Sequence, residues 1–299
     1  MEVTGDRLCI AVSRKRNGSQ SPFGGSWKGG EGLLHSREVI DAVDRRSRVG
    51  YLGDMMNLPH RLAVLSDPHG NLEALQRVLE DVEAQGAEEI ICLGDAVGYG
   101  PEPEAVVRLL RERGIPLVMG NHEHGIADKA QMCRFNPQAR QALERTVCLL
   151  EPVTVAFLAG LPRFLCLYGA RFVHGCPPDR VNTYLYMIRD KALPALFGRF
   201  PEDICFVGHT HELALVEFDG AEARRLELAE RTSLAPGRRY IVNVGAVGQP
   251  RDGDNRAKYV LWEPEARTLT VRRVPYDIQK TVDRMRELDM PEVYADRLW

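Results

Sequence analysis

The chain has 299 residues, a formal net charge of -3, a hydrophobic fraction of 44% and a charged fraction of 27%. That balance belongs to an ordinary soluble globular protein and gives no global attraction to nucleic acid or to anionic membranes. No apolar run approaches the roughly 18 residues of a membrane span, and residues 8–12 are short for a secretory core. Seven scattered cysteines with no Cys-x-x-Cys pair argue against a disulfide framework or a sulfur-rich zinc site, so a cytoplasmic location is expected.

Residues 14–32, RKRNGSQSPFGGSWKGGEG, are rich in Gly, Ser and charge and lack an apolar period. Residues 1–58 are therefore expected to form a poorly ordered, non-functional extension, and residues 59–299 the folded domain. RLAVLSD reads as the first strand. The helix after it has Leu72, Leu75, Val78, Leu79 and Val82 on one face, Asn71 as N-cap and Gly86 past its end. EEIICLGD reads as a second strand, PEPEAVVRLLRERG as a helix with Pro103 in its first turn and Gly114 beyond it, and IPLVMGN as a third strand. Residues 136–161 are mostly helical in pattern, and RFLCLYGARFVHG reads as a hairpin turning at Gly169. DICFVGHTH, YIVNVGAVGQP, KYVLWEP and TLTVRRVPY supply further strands before a helical tail from residue 277. The β-α-β-α-β opening predicts an α/β domain with parallel strands. Cys92, Cys166 and Cys205 lie in apolar runs and are expected to be buried as small hydrophobes.

Five of the hydrophobic runs end in polar residues: Asp67 with His69, Asp95, Asn121 with His122, His174, and His209 with His211. Side chains at i and i+2 of an extended segment share one side, and ligand sites in α/β sheets gather beyond the carboxyl ends of strands. Any one of these residues has a plain alternative as a turn, a cap or a core histidine. Together, in this order, they are poorly explained by chance. Carboxylate, imidazole and amide oxygen without thiolate suit Mn, Fe, Zn, Co or Ni. The donors exceed what one tetrahedral ion needs, which predicts two divalent ions roughly 3.5–4 Å apart. Two carboxylates against two such ions leave a positive surplus that attracts an anion such as phosphate.

The motifs SDPHGN, GDAVGYGP, GNHE, FVHGCP, GHTH and NVGAVGQPRDGD resemble those of the calcineurin-like metallophosphoesterase superfamily, in its compact bacterial and archaeal phosphodiesterase branch. The resemblance covers residues 62–299, with Pro68 standing where such proteins usually carry an aliphatic residue. It implies two mixed β-sheets packed as a sandwich with helices on both outer faces, a four-layer α/β/β/α fold. It also implies that Asp67, His69 and His211 hold one metal, that Asn121, His174 and His209 hold the other, and that Asp95 bridges both. A bridging hydroxide would attack phosphorus in line. His122 would protonate the leaving oxygen or steady its charge, with Asp67 orienting it. Arg251 is the candidate for a phosphate contact, against an equal reading as a surface-loop arginine, and Tyr99 a candidate for the substrate mouth. A small phosphodiester is the expected substrate, and Mn the leading metal. A phosphomonoesterase or protein phosphatase, and a non-catalytic metal-binding scaffold, are the alternatives. The sequence shows no membrane segment and no clear nucleic-acid patch, and it is silent on oligomeric state.

Overall fold

A computed structural model describes residues 58–299. The expected extension therefore falls almost wholly outside the described residues. Strands β1 (Leu62–Leu65) and β2 (Glu89–Cys92) pair in parallel, with Leu65 opposite Cys92, so both release their chains at the same rim. On its other edge β1 pairs antiparallel with β10 (Ala257–Glu263), and the sheet continues through β11 (Thr268–Val274) to β8 (Arg231–Ser233). The second sheet has the order β3 (Phe164–Leu167), β4 (Ala170–Val173), β5 (Ile204–Val207), β9 (Arg239–Val244), β6 (Leu213–Phe218) and β7 (Ala223–Leu226). Within it β4, β5 and β9 are parallel and the remaining pairs antiparallel. Both sheets are mixed.

Strand alternation explains the layering. In β1, Leu62 and Val64 point between the sheets, where they meet Phe172, Phe206, Val242 and Val260; the Phe172 and Phe206 rings stack 5.3 Å apart. Ala63 and Leu65 point the other way, against Leu75 and Val78 of helix α1 (Leu72–Ala84) and Val106 and Leu110 of α2 (Pro103–Glu112). Each such side chain contributes about 1.5–3 kcal/mol by leaving water. Strands buried on both faces read as continuous apolar runs, as these do. Asn71 caps α1 by accepting the Ala74 N–H at 3.1 Å, and Gly86 follows it at φ +66°. After α3 (Asn121–Ala127), α4 (Lys129–Met132), α5 (Pro137–Cys148) and α6 (Pro152–Ala159), the second sheet is covered by α7 (Leu193–Phe197), packed on Val173, Cys205 and Val207. Helices α8 (Ile278–Glu287) and α9 (Glu292–Asp296) form the tail. The result is the α/β/β/α sandwich that the motifs imply.

Two expectations need correction. Residues 115–121 make no third strand. Leu117 forms a single parallel bridge to Cys92, because Pro116 has no N–H to extend a ladder, and Asn121 opens α3. Cys92 and Cys205 are buried, whereas Cys166 is only half-buried and its thiol donates to Glu202 at 3.0 Å.

Candidate metal centre

Asp67, His69, Asp95, Asn121, His122, His174, His209 and His211 all converge at one rim of the sandwich, and each is at least nine-tenths buried. The first four plus His122 follow strands or edges of the β1 sheet, and the others follow β4 and β5 of the second sheet. They do not converge by strand pleat. Asp67, His69, Asp95, His209 and His211 have φ values of 55°, 48°, 50°, 68° and 63°, so each strand leaves through left-handed backbone that aims the side chain into the site. That conformation is costly for non-glycine residues and is characteristic of sites where geometry overrides local preference.

The imidazoles are fixed by their far nitrogens. Nδ1 of His69 donates to Val97 C=O at 3.0 Å, Nδ1 of His211 to Gln249 C=O at 2.6 Å, and Nδ1 of His174 to Leu93 C=O at 2.9 Å. Such bonds set the tautomer and leave Nε2 as the free nitrogen. Nε2 of His69 then faces Nε2 of His211 at 3.0 Å, with Asp67 Oδ1 at 3.5 and 3.2 Å from them. Across the site, Nε2 of His174 lies 3.0 Å from Asn121 Oδ1, 3.1 Å from His209 Nδ1 and 3.3 Å from Asp95 Oδ2. That same Asp95 oxygen is 3.7 Å from His69 Nε2. Asp95 therefore stands between two groups of acceptors. Asp67 Oδ1, facing His69 and His211, is buried with no hydrogen-bond partner. Converging lone pairs without donors need a cation, and the donor set fits divalent ions.

Electrostatics agree. Burial alone would raise the carboxyls of Asp67 and Asp95, but the surrounding histidines outweigh it and hold both well below the usual carboxylate range. Burial pushes His209 down to about 3 and His211 to about 4, keeping them neutral. His174 differs: burial opposes its charge, yet Asp95 and Asp67 lift it to about 9. A proton there takes the place that a metal cation would fill.

His122 sits beside this cluster, its ring edge-on to His69 with centroids 4.8 Å apart, close enough that His69, Asp95 and His122 also form a potential ligand group. Its backbone N–H donates to Asp95 Oδ1 at 2.9 Å, while its Nδ1 has no partner. Asp67 makes no hydrogen bond to His122; its Oδ2 is occupied by the Ser66 hydroxyl at 2.5 Å and the His209 N–H at 3.0 Å. Space for the ring comes from Gly98, at φ +96°, where a Cβ would lie 2.0 Å from His122 Nδ1. Gly98→Ala is therefore expected to displace the imidazole and depress kcat strongly while the bound metal, assayed by elemental analysis, stays near the wild-type level.

Arg251 is exposed at the rim. Its N–H donates to His211 C=O at 3.1 Å, its guanidinium donates to Gln249 at 3.1 Å, and Cζ lies 5.9 Å from the Tyr99 ring centre. Tyr99 packs between His69 and His122, 4.8 Å from each. The loop after Arg251 is gripped by Lys258, wholly buried, whose ammonium binds the C=O groups of Asp254 and Arg256 and the Asp252 carboxylate at 2.9 Å.

Sequence reasoning assigned nothing to Glu123. Wholly buried, it accepts the N–H groups of Asp95 at 2.8 Å, Gly120 at 2.9 Å and Val97 at 3.3 Å, tying α3 to the loop after β2. A glutamate at the third position of a helix, reaching back to the cap, was the available signal. Glu123→Ala leaves three buried N–H groups without acceptors, and the melting temperature is expected to fall by roughly 5–10 °C.

A model of the calcineurin-like phosphoesterase family matches residues 60–213, more than half the chain. The chain belongs to that family. An uncharacterized protein of Methanocaldococcus jannaschii is 33% identical over 243 residues, spanning 80% of this phosphoesterase and 97% of the relative. Among solved structures, a metallophosphoesterase from Sphaerobacter thermophilus is 36% identical, with a TM-score of 0.67 over 80% of this chain and 97% of that one. A hypothetical protein from Pyrococcus horikoshii shares the fold at 19% identity, with a TM-score of 0.63 over 80% and 97% of the two chains. The family uses divalent metals, and the clusters above are where this member's residues fit them. Among the described residues, no helix is long and apolar enough to cross a membrane.

Proposed function

We propose that this phosphoesterase hydrolyses small phosphodiesters through a dinuclear centre, with Mn as the leading metal. One observation supports the reading: two groups of buried ligand-type side chains meet at the shared Asp95 carboxylate. Asp67, His69 and His211 hold one ion, Asn121, His174 and His209 the other, and Asp95 both. When bound, the ions supply Lewis acidity that polarises the phosphoryl group and makes water acidic enough to act as the nucleophile at neutral pH.

The chain's own residues do the rest. The Nδ1 bonds to Val97, Leu93 and Gln249 hold three imidazoles in the tautomer that presents Nε2. Arg251 faces the rim and binds a phosphoryl oxygen, orienting the ester. His122 donates a ring N–H to the leaving oxygen, protonating it or steadying its charge. Burial of the ligand side chains and His122 keeps bulk water from them, so their contacts act in a low dielectric. The buried thiols of Cys92, Cys176 and Cys205 suit a reducing cytoplasm.

The diester preference rests on how little clamps a dianion: Arg251 is the arginine that the site places beside Tyr99 and His211. Comparing kcat/KM for bis-p-nitrophenyl phosphate and p-nitrophenyl phosphate under Mn²⁺ tests this. The diester is expected to be the better substrate. A clear advantage for the monoester moves the reading to a phosphatase, and no turnover of either with two ions bound moves it to a scaffold.

A further inference from the structure

A stack of rings leads out of the candidate metal centre. Tyr184 lies face to face with His209, centroids 3.9 Å apart and planes 15° apart, and Tyr186 continues the stack at 5.1 Å and 24°. Tyr186 is 56% exposed and Met187 63%, although both belong to a segment beside a buried site.

The segment is not loosely draped. Leu185 between the two tyrosines is 1% exposed and packs in the cluster of Phe197 and Val207. The Arg225 guanidinium donates to the C=O groups of Leu185 at 3.2 Å and Ile188 at 2.7 Å and is itself paired with Asp190 at 2.9 Å. Backbone and one anchor side chain are fixed, so the outer ring is presented rather than merely left over. Arg251 donates its N–H to His211 C=O at 3.1 Å and Tyr184 stacks on His209 two residues earlier, which sets the proposed phosphate contact and the ring stack on one loop.

We propose that the stack of Tyr184 and Tyr186 is a platform for a planar aromatic group of the substrate, so that the preferred phosphoesters carry a nucleobase or an aryl ring near the phosphoryl group. This rests on the functional reading above only in placing the phosphoryl group at the metal rim. A ring lying on Tyr186 continues an arrangement already formed by three rings, and offset stacking between aromatic faces is favourable and tolerant of ring identity. The remaining substituent of the ester reaches from the rim toward the outer tyrosine.

The test uses the metal-loaded full chain and three ligands with one phosphate head: methyl phosphate, phenyl phosphate and adenosine 5′-monophosphate. Dissociation constants come from titration calorimetry, and hydrolysis is followed with the methyl, phenyl and adenosine 5′ diesters of p-nitrophenyl phosphate. In the wild type, an aromatic ligand is expected to bind roughly tenfold more tightly than methyl phosphate, as one stacked ring provides. Tyr186→Ser is expected to collapse that ratio, and Tyr186→Phe to keep it. Phenyl equal to adenosine identifies an aryl site, and adenosine well ahead of phenyl a nucleoside site; either supports the platform. Equal affinities for all three in the wild type, or a Tyr186→Ser variant that weakens all three alike, overturns it. Failure of the functional reading looks different: the affinity ratio persists while the diesters are not turned over.

Discussion

Asp95→Asn is expected to strip metal and activity together. The carboxylate is wholly buried, one oxygen receives the His122 N–H, and the other lies within 3.7 Å of imidazole nitrogens from both acceptor groups. Asparagine keeps the size and tolerates the φ of 50° found there, so the backbone has no reason to move. What disappears is the charge that the two proposed ions would share, and the new amide brings a donor into a place that requires an acceptor. Bound metal should fall below about one ion per chain, and turnover on the order of 10³-fold or more. Elemental analysis beside kinetics checks this. A variant that keeps full occupancy with two metals would remove Asp95 from its bridging role.

His122→Ala is expected to do the opposite: keep the metal and lose the rate. Its Nδ1 has no partner in the protein, and its backbone contact with Asp95 survives truncation of the ring. Loss of a positioned proton donor lowers turnover roughly 10²–10⁴-fold. The defect should shrink for esters with acidic leaving groups, because they depart without being protonated. A plot of the rate loss against leaving-group pKa gives the decisive slope. Should metal be shed along with activity, His122 belongs with His69 and Asp95 as a ligand, a grouping their proximity permits.

Much of this site was legible in the sequence because its residues stand where apolar runs stop. Asp67, His174 and His209 follow strands buried throughout, and Asp95 follows one buried at its carboxyl end. How they converge was not legible. The pairs at 67/69 and 209/211 were expected to align by pleat, whereas left-handed backbone brings them together, and nothing in their side chains announces that. Pro116 concealed the difference between a strand and a single bridge. Strands β6, β7 and β8 escaped reading, the last two because ARRL and RTS are largely exposed at sheet edges and carry no alternation. Glu123 acts through the N–H groups of Asp95 and Val97, distant in sequence, and Lys258 through carbonyls of the loop just before it; periodicity encodes neither contact.

The candidate ligands come from both sheets: Asp67 and Asp95 follow strands of one, His174 and His209 strands of the other. Ions held at that rim would join the two halves of the sandwich by bonds that the hydrophobic interior does not provide. Pulling the halves apart then requires breaking coordination first, which raises the barrier to unfolding as well as the equilibrium stability. With ions bound there, removing metal is expected to shorten survival under proteolysis as well as to slow turnover.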